Sequence, residues 1–241
     1  MNKSALIVIP TTGSYTLEDA IKSALSQTYS NFEIWVIIDG PQFENNSKEI
    51  TNKYPTVKTL TLIENTGKSI HGDFYGHRIY AAVSFMFNHD YILYLDHDNM
   101  FEHTHVENMI NECEVNNWHW CHSLRKIYDS FGNYVCDDDC ESLGKWPIYF
   151  NNDLHLVDTS TYCIRREVII NIASAWYSGW GGDRRFYSII SKTFPNFGCT
   201  KNSTVRYRLD GNENSVTSEF FINGNNVMKQ RYPTGFPWRQ K

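Results

Sequence analysis

The chain predicts an α/β fold: a mostly parallel sheet flanked by helices, with a small mixed subregion in its second half. Three observations predict it. In the first 95 residues, four short apolar runs alternate with three segments of helical period, the βαβ pattern of a parallel sheet covered on both faces. Each apolar run ends in a polar cluster: Thr11-Thr12, Asp39-Gly40, Glu64-Asn65 and Asp96-His97-Asp98. Beyond residue 100 the alternation loosens and turn-rich stretches separate fewer apolar runs.

Ala5-Leu6-Ile7-Val8-Ile9 is continuously apolar and stopped by Pro10, as a buried parallel strand should be. A polar loop, Thr11 to Ser14, leads to Thr16, which is placed to cap a helix reaching about Gln27 with Leu17, Ile21, Ala24 and Leu25 on one side. Phe32 to Ile38 forms the second strand, closed by Asp39-Gly40-Pro41. A helix over 44–54, a strand from Val57 to Ile63, the Asn65-Thr66-Gly67 turn, a helix over 69–88 and a strand over 91–95 complete the first half. The second half predicts a helix over 103–116 and a hairpin made by Trp118–Tyr128 and Tyr134-Val135 around Phe131-Gly132-Asn133. Residues 137–153 are polar and turn-rich, with Asp137-Asp138-Asp139 expected as a flexible acidic loop. Then come a strand from Leu154 to Ile164, helices over 165–175 and 184–192, a strand from Ser203 to Arg208, and a tail rich in Gly and Asn.

Composition narrows the function. The 241 residues carry a net charge of −5 with no Lys/Arg block, which argues against a nucleic-acid partner, whose phosphates demand a basic face. The longest apolar runs are of strand length, so no integral membrane segment is expected, and the N-terminus lacks a signal-peptide pattern. The expectation is a cytoplasmic protein, peripheral at a membrane where its substrate is lipid-linked. Six scattered cysteines then read as free thiols, although Cys113, His119, Cys121, His122, Cys136 and Cys140 fall close enough in sequence to keep structural zinc or a disulfide as alternatives.

The strongest chemical signal is Leu95-Asp96-His97-Asp98-Asn99, two carboxylates at the end of a buried strand. Burying carboxylates is costly without a compensating cation or hydrogen bonds, and ligands of open α/β sheets bind at the C-terminal strand ends. Asp98 and Asp96 therefore read as a clamp for Mg²⁺ or Mn²⁺ holding a diphosphate: Asp98 as direct ligand, Asp96 on a metal-bound water or a ribose hydroxyl. A loop-entering turn is the alternative. Neither a dinucleotide fingerprint nor a phosphate-loop lysine motif follows the first strand, so a metal is the natural way to hold phosphates. Asp39 can accept from a base N–H, as uracil or guanine would offer, or simply form its turn. Thr11 lies at the same edge, facing base or ribose. Lys68, His71 and Arg78 are candidates for the phosphates, with ordinary surface charge as the other reading. His155, His103 and His105 are weaker candidates for a third metal ligand, and His97 is expected to point away from the ion.

In the second half, Trp180-Gly181-Gly182-Asp183 puts a carboxylate at a helix start. Two glycines permit a tight turn and close approach of a ligand. Asp183 can serve as a general base or as a helix cap, with Asp158 a competing base. Trp180, with Trp176, Tyr177, Trp146 and Tyr149, can cover the apolar face of a sugar or be core. Arg184 and Arg185 offer contacts to an acidic acceptor or the diphosphate, and Arg206 to Arg208 with Lys229 to Arg231 can fold back over the donor.

These residues resemble the inverting glycosyltransferases of family 2, which have a GT-A fold. Ile7 to Thr11 resembles the family's opening strand and nucleotide loop, and Asp19 through Ile34 is close to its first helix and the start of its second strand. Asp39-Gly40 matches the acid that contacts the base, Asn65-Thr66-Gly67 the turn before the third helix, Arg78 a basic residue of that helix, and Leu95 to Asn99 the metal-binding Asp-x-Asp segment. The resemblance spans about residues 4–190 and is strongest through residue 100. It implies a UDP-sugar donor, with GDP next, a Mn²⁺ or Mg²⁺ cofactor, a hydroxyl acceptor on a glycan or glycoconjugate, and Asp183 as catalytic base. It departs from the family where only one acid ends the second strand and where Arg184-Arg185, not a second acid, follows Asp183. The organisation expected is one catalytic domain over 1–241: a nucleotide-sugar half (1–100), an acceptor half (101–200) and a C-terminal tail (201–241) that closes over the site. A sugar-phosphate nucleotidyltransferase, an inactive saccharide-binding protein and a retaining transferase are the competing readings.

Overall fold

The first strand, β1 (Ala5–Thr11), is buried along its whole length and sits at the centre of the parallel part of the sheet. Its neighbours explain why: it needs apolar residues on both faces, because helices cover both. A computed structural model describes residues 3–69, 72–209 and 216–240. After β1 come α1 (Leu17–Leu25), β2 (Phe32–Ile38), a single 3₁₀ turn and α2 (Glu44–Thr51), then β3 (Lys58–Thr61). A small hairpin follows, β4 (Lys68–Ser69) with β5 (Gly72–Asp73), then α3 (His77–Met86) and β6 (Tyr91–Tyr94). The second half contains β7 (Met100–Phe101), α4 (His105–Val115), β8 (Trp120–Tyr128), β9 (Tyr134–Asp137), β10 (Tyr162–Arg165), α5 (Arg166–Ile172), α6 (Gly182–Thr193), β11 (Phe197–Arg208) and α7 (Ser218–Arg231).

The main sheet has nine strands in the order β3-β2-β1-β6-β10-β8-β11-β7, with β9 pairing β8. From β3 to β6 all pairs are parallel, whereas β10 is antiparallel to both β6 and β8. The expected division into a parallel half and a mixed subregion is what forms. One face is packed by α1 and α4 through Leu17, Ile21, Met109 and Cys113, the other by α3, α5, the 3₁₀ turn after α5 and α6 through Val83, Ile169, Trp176 and Phe186. A third cluster joins β8 to α7 through Leu124, Phe221, Met228 and Trp238.

Five expectations are corrected. The helix over 69–88 begins only at His77, because the hairpin and Tyr75, whose φ of +52° is left-handed, occupy the preceding residues. The strand expected over 154–164 forms only from Tyr162, after a 3₁₀ turn at Thr159–Thr161. The acidic stretch after residue 136 is not a flexible loop: Asp138 is fully buried and Glu141 nearly so. The tail is largely a helix, α7, started by Thr217, whose hydroxyl accepts from the Phe220 N–H. Thr16 does precede α1, but its hydroxyl bonds Ser14 Oγ at 2.7 Å and caps no helix N–H.

Among the described residues, no helix is long and apolar enough to cross a membrane. All six cysteines are free thiols. Those brought together are Cys113, Cys121 and Cys163, with sulfurs within 4.8 Å of one another in the core, rather than the Cys136–Cys140 pair considered from spacing.

Candidate active site

β1 and β2 end level, Thr11 pairing Ile38, and β6, whose Tyr94 pairs Val8, runs on through Leu95, which donates to Val8 O, towards the same edge. A cleft of about 730 Å³ opens along that edge. Thr11, Asp39, Lys68, Asp96, Asp98, Trp180 and Asp183 all line it. Seven of the eight proposed site residues therefore converge, although they come from both halves of the chain.

Asp39 is buried, and its carboxylate accepts three hydrogen bonds: from Thr66 N and Oγ1 at 2.7 Å each and from Gly67 N at 2.8 Å. It holds the Asn65–Gly67 turn in place and keeps lone-pair capacity for one further donor. Thr11 is buried and its hydroxyl accepts from Gly13 N at 3.0 Å, fixing the loop after β1. Lys68 stands exposed at the cleft mouth, in β4 and not in a helix; its backbone N–H donates to Asn65 Oδ1.

Arg78 departs from expectation. It does not line the cleft; its guanidinium carbon lies 4.2 Å from the Phe74 ring centre and 5.3 Å from that of Tyr177. The late start of α3 is the cause, since it puts Arg78 in the first turn, beside these two rings. His71 lies outside the described residues.

The antiparallel register of β6 and β10 (Leu93 with Cys163), continued past the strand ends, brings Ser160 opposite Asp96. Ser160 Oγ accordingly accepts from Asp96 N and donates to Asp96 Oδ2, both at 3.1 Å, while Tyr80 donates to Asp96 Oδ1. Burial, and then the nearby Asp98 carboxylate, push the Asp96 carboxyl up to about 6. A buried carboxylate whose proton affinity is raised by a second carboxylate beside it suits a hard divalent cation, whose charge relieves the repulsion. His97 also lines the cleft, with burial lowering its proton affinity. The alternative third ligands lie elsewhere: His155 bonds Gly144 O and stacks on Tyr187, His105 bonds Thr204, and His103 is exposed.

Asp183, also lining the cleft, is the second residue of α6, and its Oδ1 accepts the Arg184 N–H at 2.8 Å. The turn before it uses both glycines. Gly181 has φ +76°, and a Cβ on Gly182 would lie 2.5 Å from the His77 ring. His77 Nδ1 lies 2.6 Å from Ser178 O, tying this turn to α3. Trp180 is 79% exposed at the rim, so its indole is open to a ligand, whereas Trp176 is core, stacked on Phe186. Trp146 and Tyr149 belong to the third cluster and do not line the cleft.

Sequence reasoning missed the cleft floor. Arg125, 2% exposed in the middle of β8, donates from Nε to Asp138 at 2.8 Å, from Nη1 to Asp158 at 2.6 Å and from Nη2 to Glu141 at 2.6 Å. Burial pushes Asp158 up to about 6 and Glu141 up to about 7, against the pull of Arg125. Asp138 stays low, because Arg125 and the N–H groups of Cys140 and Ser142 outweigh its burial. The strand also carries His122, Ser123 and Lys126, so Arg125 gave no distinct signal of burial in the sequence.

A sheet of this order, with paired acids after β6 and a glycine-turned acid lining the same cleft, is the GT-A architecture. The profile of "Glycosyl transferase family 2" matches residues 6–152, and the chain belongs to that family. No curated protein matches it in sequence. Among solved structures, S. aureus TarS (residues 1–349) in complex with UDP-GlcNAc aligns with a TM-score of 0.65 at 13% identity, over 94% of this chain and 65% of that one. TarS 1–349 without a named ligand gives 0.63 at 14% identity, over 85% and 60%. The mannosyltransferase PcManGT from Pyrobaculum calidifontis, in complex with GDP-Man and Mn²⁺, gives 0.60 at 10% identity, over 89% and 59%. This chain thus spans about three-fifths of the length of these structures and shares their fold.

Proposed function

We propose that the chain is a metal-dependent inverting glycosyltransferase, moving a sugar from a nucleoside-diphosphate donor, UDP-sugar first, to a hydroxyl of a glycan or glycoconjugate. The observation that carries this reading is that the Asp96/Asp98 pair and Asp183, from distant parts of the chain, line one cleft. The UDP-GlcNAc and GDP-Man with Mn²⁺ named for the similar structures support it. Asp98 and Asp96 would hold Mn²⁺ or Mg²⁺, which when bound stabilises negative charge on the departing diphosphate. Thr11 and Asp39 line the base and ribose end, and Lys68 faces the phosphates from the hairpin. Trp180 covers the apolar face of the acceptor ring.

Asp183 takes the proton of the acceptor hydroxyl. The acceptor oxygen forms its bond to the anomeric carbon while the bond to the diphosphate oxygen breaks, its electron pair leaving with the nucleoside diphosphate. Attack from the face opposite the leaving group inverts the anomer. The whole chain acts as one catalytic domain in this reading, with residues 1–100 on the donor and 101–200 on the acceptor. Six free thiols support work in a reducing compartment such as the cytoplasm.

The test is turnover of a panel of UDP- and GDP-sugars with Mn²⁺ and oligosaccharide acceptors, the anomer being read by NMR. Release of nucleoside diphosphate with an inverted product is expected. A retained anomer overturns inversion. Consumption of a nucleoside triphosphate with a sugar phosphate instead would point to nucleotidyl transfer.

A further inference from the structure

Arg125 is surrounded by more negative charge than it can neutralise. Asp138 alone suffices for the guanidinium, and it is committed: its oxygens also accept the N–H groups of Cys140, Glu141 and Ser142. Asp158 accepts the Ser160 N–H at 3.0 Å and so ties the cluster to the turn that faces Asp96. Glu141 is the member without a comparable backbone role for its carboxylate. It is 6% exposed, costly as a buried charge, and still lines the cleft. A structural counter-ion would be expected behind the cleft wall, where Asp138 lies, rather than in the wall.

Glu141 Oε2 is pinned by Arg125, and Oε1 faces Arg184 Nη2 at 3.9 Å, beyond hydrogen-bond length. Arg184 Nε is buried and has no hydrogen-bond partner among the described residues. Its guanidinium carbon also lies 5.3 Å from the ring centre of Trp180, at the rim. Glu141 Oε1 and Arg184 Nη2 stand too far apart to bond directly, and Nε of the same guanidinium lacks a partner, so the pair suits a group that both donates and accepts. A hydroxyl does so, and neighbouring hydroxyls on one ring can engage both residues. Arg184 directly follows Asp183, so whatever binds here is held beside the proposed base.

We propose that Glu141 and Arg184 form a subsite for the hydroxyl groups of a sugar ring, with Arg125 as the residue that positions Glu141. This rests on the glycosyltransferase reading. The same chemistry is offered by the transferred sugar and by the acceptor sugar, and kinetics separate the two.

Glu141→Gln keeps the shape and an oxygen for Arg125, and Arg184→Lys keeps charge on a half-exposed side chain while losing the fork. Each is compared with wild type in donor hydrolysis without acceptor and in transfer at varied acceptor. Loss of a charged hydrogen bond should raise one KM by roughly tenfold or more in both variants, with kcat changed far less. A rise in donor KM during hydrolysis assigns the hydroxyls to the transferred sugar; a rise confined to acceptor KM assigns them to the acceptor. A deoxy analogue lacking the bound hydroxyl should cost wild type a similar factor and leave Glu141→Gln little affected. Unchanged KM values in both assays, with only a lower melting temperature, would make the pair structural and overturn the subsite. Wild type unable to hydrolyse any UDP- or GDP-sugar would overturn the activity itself, and the subsite with it.

Discussion

Asp183 and Arg125 show how different the demands on single residues in this cleft are. Asp183 sits in the first turn of α6 and opens onto the cleft. Asp183→Asn removes the proton acceptor with little change in shape, so turnover should fall by roughly 10²–10⁴-fold while nucleotide binding, read by calorimetry, stays within about twofold. Arg125 carries structure. Arg125→Met leaves Asp138, Asp158 and Glu141 facing one another without a cation, and chemical denaturation should report a loss of about 3–5 kcal/mol. These residues also mark what a sequence can reveal. Thr11, Asp39, Asp96 and Asp98 were readable because each stands where an apolar strand ends. The place of Asp183 at a helix start was readable from its two glycines, whereas its role as base rests on the family resemblance. Arg125 and Glu141 were not, because hydropathy assigns charged residues to the surface and cannot anticipate that they will bury one another.

The elements were readable to the extent that their apolar period was regular. β1, β2 and β6 are uninterrupted apolar runs and appear within a residue or two of expectation. The hairpin of β4 and β5 was hidden because polar residues before an amphipathic helix look like its first turns; the apolar repeat at Ile79 and Val83 belongs to a helix that starts at His77. α7 was hidden by its Asn and Gly, weak helix formers that the cap at Thr217 and the packing of Phe221 and Met228 override. Two predictions belong at this scale. Trp238, fully buried in the third cluster and donating to Asp139 at 2.7 Å, anchors the segment after α7. Trp238→Ala should cost about 3–5 kcal/mol in denaturant unfolding, whereas a dispensable tail would lose nothing. In the turn before α6, Gly182→Ala drives a methyl into the His77 ring, so overpacking of about 1–3 kcal/mol and a displaced Asp183 should lower turnover more than nucleotide affinity.

At the scale of the molecule, the sheet order brings acids from distant parts of the chain to one edge, and their repulsion makes the cleft a place for a cation. The raised Asp96 value has a definite pH consequence. Asp96 favours the fold while protonated and loses that contribution as pH rises through about 6. A cation needs the ionised form, so stabilisation by Mn²⁺ should be small at about pH 5 and grow through about pH 7, reaching ~2.7 kcal/mol at a hundredfold excess over Kd. A thermal-shift series across that range, with and without Mn²⁺, reads it directly. A stabilisation independent of pH would place the ion away from Asp96 and Asp98.

The central claim is that these two carboxylates grip a nucleoside diphosphate through a divalent cation. Calorimetric titration of UDP into the wild-type protein with Mn²⁺, repeated in a chelator and with Asp98→Asn, tests it. Saturable one-site binding that weakens by at least about tenfold in both controls is expected. Equal affinity in all three titrations, or no binding of UDP or GDP in any of them, contradicts it.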